Sequence, residues 1–316
     1  MLISFIIPCY KSANTLESVV DNIENMMKGR TDYDCEVVLV NDGSPDDTWG
    51  TIKRLCGKYD NITGVDVAKN SGQQSAIMAA IKYSRGELIV CCDDDGQTPV
   101  ETCFEFIDKM DKEGYDVVCA KYVERGKRSL FRRFGSWVND QMSIYFLEKP
   151  KDINTSVYFV AKRFVALEMA KYDNPYPYIT GLLLRTTRRI GNVEVEQKSR
   201  LAGQSGYTFK KLFNLWLNGI TTFSIKPLRL ANFLGMLFAF IGFVVIIFLV
   251  ISKLSNPSVS VGWTSTVASI LLIGGIQMML LGMIGEYIGR IYLCLNKTPQ
   301  YVERTVIGKN KDIASQ

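Results

Sequence analysis

Late in this sequence of 316 residues, a long stretch carries no charge at all. It runs from Ala231 to Ser252 as ANFLGMLFAFIGFVVIIFLVIS, and a second apolar stretch runs from Thr266 to Gly285. Each is about 20 residues long, the helix length that crosses about 30 Å of hydrocarbon. Two buried helices of a soluble core are the alternative, but few soluble helices are apolar on all sides over this length. We therefore predict a membrane hairpin within residues 230–290, with transmembrane helices at 231–252 and 266–285.

The charges beside these segments predict the orientation of the hairpin. The short loop between the segments carries one basic residue, Lys253, whereas both outer flanks are basic. Because basic residues stay on the cytoplasmic side of a membrane, both termini are predicted to be cytoplasmic. The flanking basic residues are Lys210, Lys211, Lys226 and Arg229 before the first segment, and Arg290, Lys297 and Arg304 after the second.

Residues 208–229, just before the first segment, form an amphipathic pattern. A helix of this kind can lie flat at a membrane interface with its apolar face toward lipid. Packing against the preceding domain of the same chain is equally compatible with the pattern. The apolar side chains concerned are Leu212, Phe213, Leu215, Trp216 and Phe223.

The first two-thirds of the chain, residues 1–207, alternate between apolar strand patterns and helical spacing. The strand patterns are LISFIIPCY, CEVVLVNDG, ITGVDVAK, GELIVCCDDD and YDVVCAKYV. The helical patterns are Thr15–Lys28, Asp47–Tyr59, Gly72–Tyr83 and Pro99–Glu113. This alternation predicts a cytosolic α/β domain with a mainly parallel central sheet, and leaves residues 291–316 as a cytosolic tail. Ligands of such sheets bind at the carboxyl ends of the strands, where Asp42 and the triplet Asp93 to Asp95 fall.

The sequence contains no histidine. This removes the commonest general base, the usual serine and cysteine triads and most zinc sites. Catalysis must then use carboxylates, arginines, hydroxyls, a metal, or a nucleophile that is already ionised. The eight cysteines form no C-x-x-C pair and lie mostly in apolar runs, which predicts reduced, buried thiols. The net charge of +5 is too small to indicate a nucleic-acid partner.

The stretch CCDDDGQTP places three consecutive carboxylates at the end of a predicted strand. A D-x-D pair there suits Mg²⁺ or Mn²⁺, which takes one or two protein carboxylates while a diphosphate completes its shell. On an extended backbone Asp93 and Asp95 point to one side, so Asp94 is predicted to point the other way, toward a sugar hydroxyl or a ribose. For so short a pattern on its own, a solvated acidic loop is the stronger interpretation.

Further motifs give this stretch a context. FIIPCY, VVLVNDGSPDDT, KNSGQQSAIMAA, CDDDGQTPVE and RLAGQSGY follow one another along the chain. In that order they resemble the P-x-Y, D-D-G-S-x-D-x-(S/T), N-x-G-Q-x-x-A, D-A-D-L-Q-x-P-P-E and R-x-x-G-x-S-K-Y motifs of family-2 glycosyltransferases, which have the GT-A fold. With LLGMIGEYIGRIY at the end of the second span, the chain resembles the membrane-anchored polyprenyl-phosphate glycosyltransferases. These include dolichyl-phosphate mannose synthases and bacterial undecaprenyl-phosphate sugar transferases.

The resemblance implies an activity as well as a fold. It implies an inverting transfer of a hexose-type sugar from a nucleotide-sugar, a UDP-sugar, to undecaprenyl phosphate at the cytoplasmic face of the bacterial inner membrane. A lipid phosphate is an anion at pH 7 and can attack the anomeric carbon without a base, which accounts for the missing histidine. The protein would then contribute positioning and charge stabilisation. The resemblance further implies a homotetramer in which TPQYVERTVI packs on a neighbouring subunit.

The resemblance also implies roles for individual residues. Those implied to bind the nucleotide-sugar are Pro8, Tyr10, Asp42, Gln73, Asp94 and Asp95. Those implied to bind Mg²⁺ or Mn²⁺ are Asp93, Asp95 and Gln97. Catalytic roles are implied for Asp93, Asp95 and Asp152, the last of which would contact the donor sugar or orient an arginine. Those implied to bind the lipid phosphate are Arg125, Arg132, Ser136, Arg200 and Ser205.

The chemistry of the residues independently supports binding of a lipid phosphate, because the guanidinium fork of arginine matches phosphate oxygens. The segment ERGKRSLFRRFGS is rich in such side chains. A basic face resting on anionic lipid headgroups is the alternative, and it also places the segment at a membrane surface.

The chain departs from the family pattern at several positions. Lys11 and Ser12 follow Tyr10 where relatives often have asparagine and glutamate. Asp94 and Gly96 make the acidic motif D-D-D-G-Q, and Gly206 stands where relatives have a lysine. Tyr158 stands where relatives tend to have an arginine, which puts the role of Asp152 in doubt. These differences leave room for a changed sugar.

Two other functions fit parts of the sequence. A processive polysaccharide synthase is disfavoured because the chain has no Q-x-x-R-W motif and too few spans for an export channel. A catalytically degenerate membrane scaffold is disfavoured by an intact set of motif residues. These are Asp42, Asp93, Asp95, Gln97 and Arg200.

Overall fold

The computed structural model describes residues 1–123, 140–141, 143–196, 226–255 and 262–309. The chain divides into two compact units, one comprising Met1–Gly219 with Lys297–Gln316 and the other Ile220–Asn296. The first unit therefore takes in residues from both ends of the sequence.

Strands and helices follow one another in nearly the order that the sequence predicts. The strands are β1 (Leu2–Cys9), β2 (Asp34–Asn41), β3 (Ile62–Val67), β4 (Leu88–Cys91), β5 (Val117–Val123), β6 (Phe159–Lys162), β7 (Ile190–Glu196) and β8 (Glu303–Gly308). The helices of the first unit are α1 (Leu16–Lys28), α2 (Thr48–Lys58), α3 (Gln73–Tyr83), α4 (Cys103–Glu113), α5 (Arg163–Ala170) and α6 (Ile179–Thr186). The second unit contains α7 (Lys226–Ser255) and α8 (Trp263–Leu295).

The differences from the predicted boundaries have local causes. Thr15, Asp47 and Gly72 are N-caps, so each helix begins one residue after its predicted start. A 3₁₀ turn at Val100–Thr102 precedes α4, since the Thr102 N–H donates to the carbonyl of Pro99, three residues earlier. Strand β4 ends at Cys91, before the acidic triplet, of which Asp94 and Asp95 lie in a bend.

The described strands form one eight-stranded sheet in the order β7-β5-β6-β4-β1-β2-β3-β8. Strand β1 pairs in parallel with β2 and β4, β2 with β3, and β5 with β7. Within this sheet, β6 and β8 run against the other strands. The sheet is therefore mainly parallel, as predicted, and the carboxyl ends of the codirectional strands meet at one edge.

Burial on both faces explains why the central strands are apolar without alternation. Phe5 and Ile6 are neighbours on β1 that point to opposite faces, yet both are fully buried. On one face Phe5 shares a core cluster with Val20 and Ile23 of α1. Helix α3 contacts β1 and β2 and contributes buried Ile77. The core thus keeps the ends of β1, β2 and β4 in fixed positions.

The C-terminal segment contributes a strand to the sheet. The ERTVI part of TPQYVERTVI forms β8 with Gly308 and pairs antiparallel with β3 of the same chain, while the packing of this segment on a neighbouring subunit stays a prediction. The Nζ atom of Lys82 lies 3.0 Å from Glu303, and the Tyr83 hydroxyl donates to the same carboxylate at 2.8 Å. Residues after the apolar segments therefore complete the edge of the catalytic sheet.

The second unit confirms helices at both apolar segments. Helix α7 has 30 residues and α8 has 33. Among the described residues, Leu272–Leu295 is long and apolar enough to cross a membrane by length and composition, while Ala231–Val245 is a shorter apolar helix. Two complete membrane crossings stay a prediction. Most of the predicted helix at 208–229 lies outside the described residues.

Candidate active site

The predicted site residues lie where the structure brings neighbouring parallel strands to an end. Tyr10 follows β1, Asp42 follows β2 and Asp93 comes two residues after β4. These strands are adjacent in the order β4-β1-β2, so the three residues occupy one stretch of the sheet edge. Pro8, in contrast, is buried within β1 beside Val40, so it shapes the strand end.

Asp42 lies in a pocket of backbone N–H groups. Its two carboxylate oxygens accept hydrogen bonds from the amides of Ser71 at 2.7 Å and Gly72 at 2.9 Å, in the loop between β3 and α3. Burial raises the pKa of Asp42, and the two amides oppose this effect by favouring the carboxylate. Gly43, with φ of +58°, lets the loops approach, because a Cβ there would lie 2.5 Å from the Asn70 nitrogen. The loop after β2 and the loop after β3 are therefore joined at Asp42.

Asp94 is hydrogen-bonded to the turn that follows β1. Its Oδ2 atom accepts hydrogen bonds from the Tyr10 backbone N–H at 2.9 Å and from the Ser12 hydroxyl. Its own carbonyl accepts from the Thr15 hydroxyl at 2.7 Å. Burial raises the pKa of Asp94, while the bonds from Ser12 and Tyr10 lower it. The carboxylate of Asp94 thus fixes the turn between β1 and α1, and its predicted contact with a sugar or ribose stays a prediction.

Asp93 and Gln73 form a second link across the edge. The Gln73 side-chain amide donates to Asp93 Oδ1 at 2.8 Å from the first turn of α3. Asp93 also raises the pKa of Tyr122 on β5, although burial is the larger cause. Gln73 is predicted to bind the nucleotide-sugar, and Asp93 is predicted to bind the metal. The hydrogen bond from Gln73 orients the Asp93 carboxylate.

Asp95 and Gln97 lie at the tight bend after β4. The Gln97 backbone N–H donates to Asp95 Oδ1 at 3.0 Å, and Gly96 between them has φ of +75°. The described residues contain no group of three or more Asp, Glu, Cys or His side chains that could hold a metal ion by themselves. A carboxylate pair suits Mg²⁺ or Mn²⁺ only if substrate phosphate and water supply the remaining oxygens. The carboxylate pair Asp93 and Asp95 therefore fits a metal ion that binds together with a diphosphate.

Asp152 is exposed in the turn that precedes β6. Lys149, whose side chain is 4% exposed, supports this turn: its Nζ atom donates to the carbonyl of Ile153 and lies 2.9 Å from Asp140. Because Phe159 opposes Cys91, the segment from Asp152 enters the sheet at the same edge as the acidic triplet. Asp152 thus lies in the segment that leads into this edge, and its catalytic role stays a prediction.

Tyr158 is a core residue that supports the same region. It is fully buried, its ring centroid lies 4.8 Å from that of Phe106, and its hydroxyl lies 3.0 Å from Thr102 Oγ1 and 3.2 Å from the Pro99 carbonyl. Burial raises its pKa far above the ordinary tyrosine value. Tyr158, which stands where relatives tend to have an arginine, therefore packs against the segment that follows the acidic triplet.

The five residues predicted to bind lipid phosphate lie outside the described residues. The described strands nevertheless show where these segments begin, because β5 and β7 run in the same direction as β4. Val123 and Glu196, the last residues of those strands, both end at the active-site edge. The residues concerned are Arg125, Arg132, Ser136, Arg200 and Ser205.

Five of the eight cysteines are buried as predicted, while Cys35 and Cys56 are partly buried and Cys294 is exposed. All eight are free thiols, and Cys91 and Cys92 before the acidic triplet are fully buried. Burial raises the pKa of both Cys103 and Cys119 to about 12. Such thiols stay protonated at neutral pH and are poor nucleophiles.

A mainly parallel α/β sheet with an acidic pair and a fixed turn at its carboxyl edge is the arrangement of a GT-A-like glycosyltransferase. The chain belongs to glycosyl transferase family 2, whose sequence profile matches residues 4–172. Residues 226–291 match the profile named GtrB C-terminal hairpin. The protein is therefore a glycosyltransferase with a hairpin-type C-terminal part.

Full-length relatives and one solved structure agree with this family. The chain is 32% identical to the uncharacterized glycosyltransferase YkcC of Bacillus subtilis (strain 168), over 96% of this chain and 94% of the relative. It is 28% identical to the bactoprenol glucosyl transferase of Shigella phage SfII, over 96% and 97%. Glucosyl-3-phosphoglycerate synthase of Mycobacterium tuberculosis, solved with phosphoglyceric acid, superposes with a TM-score of 0.50 at 18% identity, covering 70% of this chain and 78% of that one. This superposition supports the GT-A-like fold alone.

The sequence motifs do not identify every residue that shapes the site. Ser12 was noticed only as a departure from the family, yet it binds Asp94. Asp66 gave a signal as the one charged residue in the apolar strand ITGVDV. The N–H groups of Ser71 and Gly72 gave none, because backbone donors carry no side-chain pattern.

Proposed function

We propose that the protein is an inverting glycosyltransferase that moves a hexose-type sugar from a UDP-sugar to undecaprenyl phosphate at the cytoplasmic face of the bacterial inner membrane. The observation that supports this most is the sheet edge itself. There Asp93 and Asp95 stand beside the turn at Tyr10 and the loop at Asp42. The names of full-length relatives, bactoprenol glucosyl transferases, support a polyprenyl-phosphate acceptor.

The nucleotide is proposed to bind between the turn after β1 and the loop after β2. Tyr10 is 44% exposed, which leaves its ring available to contact a base. Asp42 is only 3% exposed and already accepts two amide hydrogen bonds, but each carboxylate oxygen has a second acceptor position for a base N–H. Pro8 acts indirectly, by shaping the strand that presents Tyr10.

The diphosphate is proposed to lie against Asp93, Asp95 and Gln97. A bound Mg²⁺ or Mn²⁺ would neutralise the charge that develops on the departing diphosphate. Gln73 holds Asp93 Oδ1, and the Gln97 amide holds Asp95 Oδ1, so both carboxylates are oriented before the substrate arrives. Asp152 is proposed to contact the donor sugar or to orient an arginine.

The acceptor phosphate is proposed to approach from the segments that follow β5 and β7, where Arg125, Arg132, Ser136, Arg200 and Ser205 occur. One phosphate oxygen attacks the anomeric carbon while the bond from that carbon to the diphosphate oxygen breaks. The electron pair of that bond leaves with UDP, and the anomeric centre inverts. No proton is transferred, which agrees with a chain that has no histidine.

The apolar helices are proposed to hold this reaction at the membrane, with α7 and α8 both crossing it and both termini in the cytoplasm. This arrangement brings a lipid acceptor and a soluble nucleotide-sugar to one site. Assembly into a homotetramer is part of the same proposal.

The test is a transfer assay on the full-length protein in detergent. Purified protein is incubated with undecaprenyl phosphate, Mn²⁺ or Mg²⁺, and a panel of UDP- and GDP-sugars, and lipid-linked sugar is measured. We expect one UDP-hexose to give a single-sugar lipid product. No product and no nucleotide binding with any donor would contradict the proposal, and a long polymer would favour a processive synthase.

The assay also tests Asp152. Asp152→Asn is expected to lower kcat at least about tenfold with UDP binding unchanged, as for a group that acts on the transition state. The matched control is Asp173→Asn, a change of another acidic residue outside the described helices and strands. Unchanged turnover of Asp152→Asn would remove this residue from the catalytic set.

A further inference from the structure

Arg304 lies far from the site in sequence, on the strand that follows the apolar segments, yet it contacts the frame of the nucleotide pocket. In the pairing of β3 with β8, Asp66 opposes Thr305 and Val67 opposes Glu303. Arg304 is therefore the extra residue of a β-bulge. A bulge redirects a side chain out of the regular strand alternation.

The redirected guanidinium makes two contacts at the carboxyl end of β3. Its Nη1 atom lies 3.4 Å from Asp66 Oδ2, and its Nη2 atom donates to the Ala68 carbonyl at 2.9 Å. Asp66 ends the regular part of β3, and Ala68 begins the loop that leads to Ser71 and Gly72. Arg304 thus links the carboxyl end of β3 to the start of the loop between β3 and α3.

The first contact leads to the loop after β2. Asp66 is 2% exposed, and its Oδ1 atom accepts a hydrogen bond from the Asn41 side-chain amide at 2.7 Å. The side-chain Oδ1 atom of Asn41 accepts from the Ser44 N–H at 3.3 Å, and the Ser44 hydroxyl accepts from the Lys11 N–H at 3.2 Å. A continuous set of hydrogen bonds therefore runs from β8 to the turn beside Tyr10.

The second contact leads to Asp42 from the other side. The Ala68 N–H donates to the Val302 carbonyl at 2.8 Å, so both polar groups of Ala68 are bound by the C-terminal segment. Further along the same loop, the backbone amides of Ser71 and Gly72 hold the Asp42 carboxylate. Both loops that enclose Asp42 are thus connected to one arginine.

We propose that Arg304 is a positioning residue for the nucleotide pocket, which it holds in shape through Asp66 and Ala68. The proposal rests on the proposed function, in that the pocket at Asp42 binds the nucleotide. The chain would then use its last strand, beyond the apolar segments, to complete a site built from its first residues. Breaking the bridge leaves the buried Asp66 carboxylate without its cation and frees the start of the Asp42 loop.

The main test compares Arg304→Met with Lys82→Met in the full-length protein. Both substitutions remove one ion pair of β8. Arg304 pairs with Asp66 of β3, whereas Lys82 of α3 pairs with Glu303, which also accepts from the Tyr83 hydroxyl and, among the described residues, has no contact with the loops around Asp42. We expect R304M to weaken UDP binding and to raise the KM for the UDP-sugar by about five- to tenfold, with kcat nearly unchanged. K82M is expected to match the wild type. An equal effect of both variants, or none for R304M, would overturn the proposal.

A conservative variant separates the charge from mere packing. Arg304→Lys keeps a cation beside Asp66 but cannot bridge to Ala68 with a planar fork. It is expected to recover part of the UDP affinity that R304M loses. A lysine variant no better than R304M would contradict a role for the ion pair.

Hydrogen exchange gives a measurement that does not depend on the proposed function. In the protein without nucleotide, peptides covering residues 68–73 are expected to exchange faster in R304M than in wild type and K82M. The reason is that the loop loses its anchor at Ala68, so that the hydrogen bonds from Ser71 and Gly72 to Asp42 open more often. Unchanged exchange would overturn the proposal. If the wild type binds no nucleotide, the proposed function fails while the exchange comparison still decides the role of Arg304.

Discussion

The Oδ2 atom of Asp94 lies 2.9 Å from the backbone nitrogen of Tyr10, which joins the acidic triplet to the turn after the first strand. The Ser12 hydroxyl donates to the same oxygen. Two of the departures from the family pattern, Ser12 and Asp94, are therefore partners in space. Asp94 therefore fixes the turn beside Asp93 and Asp95, the two residues that we propose bind the metal and the diphosphate.

The partnership of Asp94 and Ser12 can be tested by exchanging the two side chains. Asp94→Ser removes the carboxylate that receives the Tyr10 amide, and Ser12→Asp alone places two buried carboxylates together. Each is expected to raise the KM for the donor by about tenfold or more, the effect of losing a hydrogen bond to a charged group. The double variant S12D/D94S restores one carboxylate and one hydroxyl and is expected to recover part of the loss in a transfer assay.

A double-mutant cycle gives the coupling between the two positions, with melting temperatures measured alongside. Losses that simply add in S12D/D94S would show that the pair does not act as a unit.

The acidic pair is expected to carry the metal dependence. Asp95→Asn should abolish turnover and the Mn²⁺-dependent part of UDP binding, since a neutral amide is a poor ligand for a hard cation. Glu105→Gln, an exposed change of the same kind on α4, is the matched control and should behave as wild type. Titration calorimetry with UDP, with and without Mn²⁺, makes the comparison. Mn²⁺-dependent UDP binding that survives in the Asp95 variant would contradict the metal role.

Gln73 is expected to act through Asp93. Gln73→Met removes the amide that donates to Asp93 Oδ1 and keeps the length of the side chain. The metal concentration for half-maximal turnover should rise about tenfold, the usual cost of losing an outer partner of a metal ligand. Turnover at saturating metal should return toward that of the wild type. A deficit that no metal concentration repairs would mean that Gln73 contacts the substrate itself.

Substitutions at Tyr158 test whether the protein can hold, at this position, the arginine that relatives tend to have. Tyr158→Phe removes a hydroxyl that contacts Thr102 and Pro99, worth about 1 kcal/mol, so the melting temperature should fall about 2–4 °C with activity retained. Tyr158→Arg buries a charge and should lower the melting temperature by more than twice as much. A stable, active Tyr158→Arg protein would show that the site can reorganise to hold the arginine.

The buried thiols predict a loss of stability at alkaline pH. The pKa of Cys119 rises from 9.0 to about 12 on folding, because burial disfavours the thiolate. Above pH 9 the unfolded chain loses this proton while the folded chain keeps it, so stability is complete below pH 9 and falls toward pH 12. The slope approaches about 1.4 kcal/mol per pH unit for one such thiol. Melting temperatures from pH 8 to 10.5 should therefore fall less steeply in Cys119→Ala than in the wild type, and equal slopes would contradict this.

Much of the fold follows from patterns that are local in sequence. Strands and helices up to β5 were predictable because a sheet buried on both faces needs continuous apolar strands, and because helices need one apolar side. The positions of Asp42 and the acidic triplet at strand ends follow from the same pattern. The starts of α1, α2 and α3 differed by a residue because capping depends on backbone angles that the pattern does not specify.

The sequence determined by itself that the chain has an α/β part and long apolar segments, that it has no histidine chemistry, and that motifs of family-2 glycosyltransferases lie along it. These are properties of composition and short-range order. Only the tertiary structure decided that Asp94 binds Ser12, that Tyr158 is a core support, and that β8 returns to β3 with Arg304 beside Asp66. Such contacts join residues up to 238 positions apart. Their geometry is set by strand order and register, which no local pattern of residues encodes.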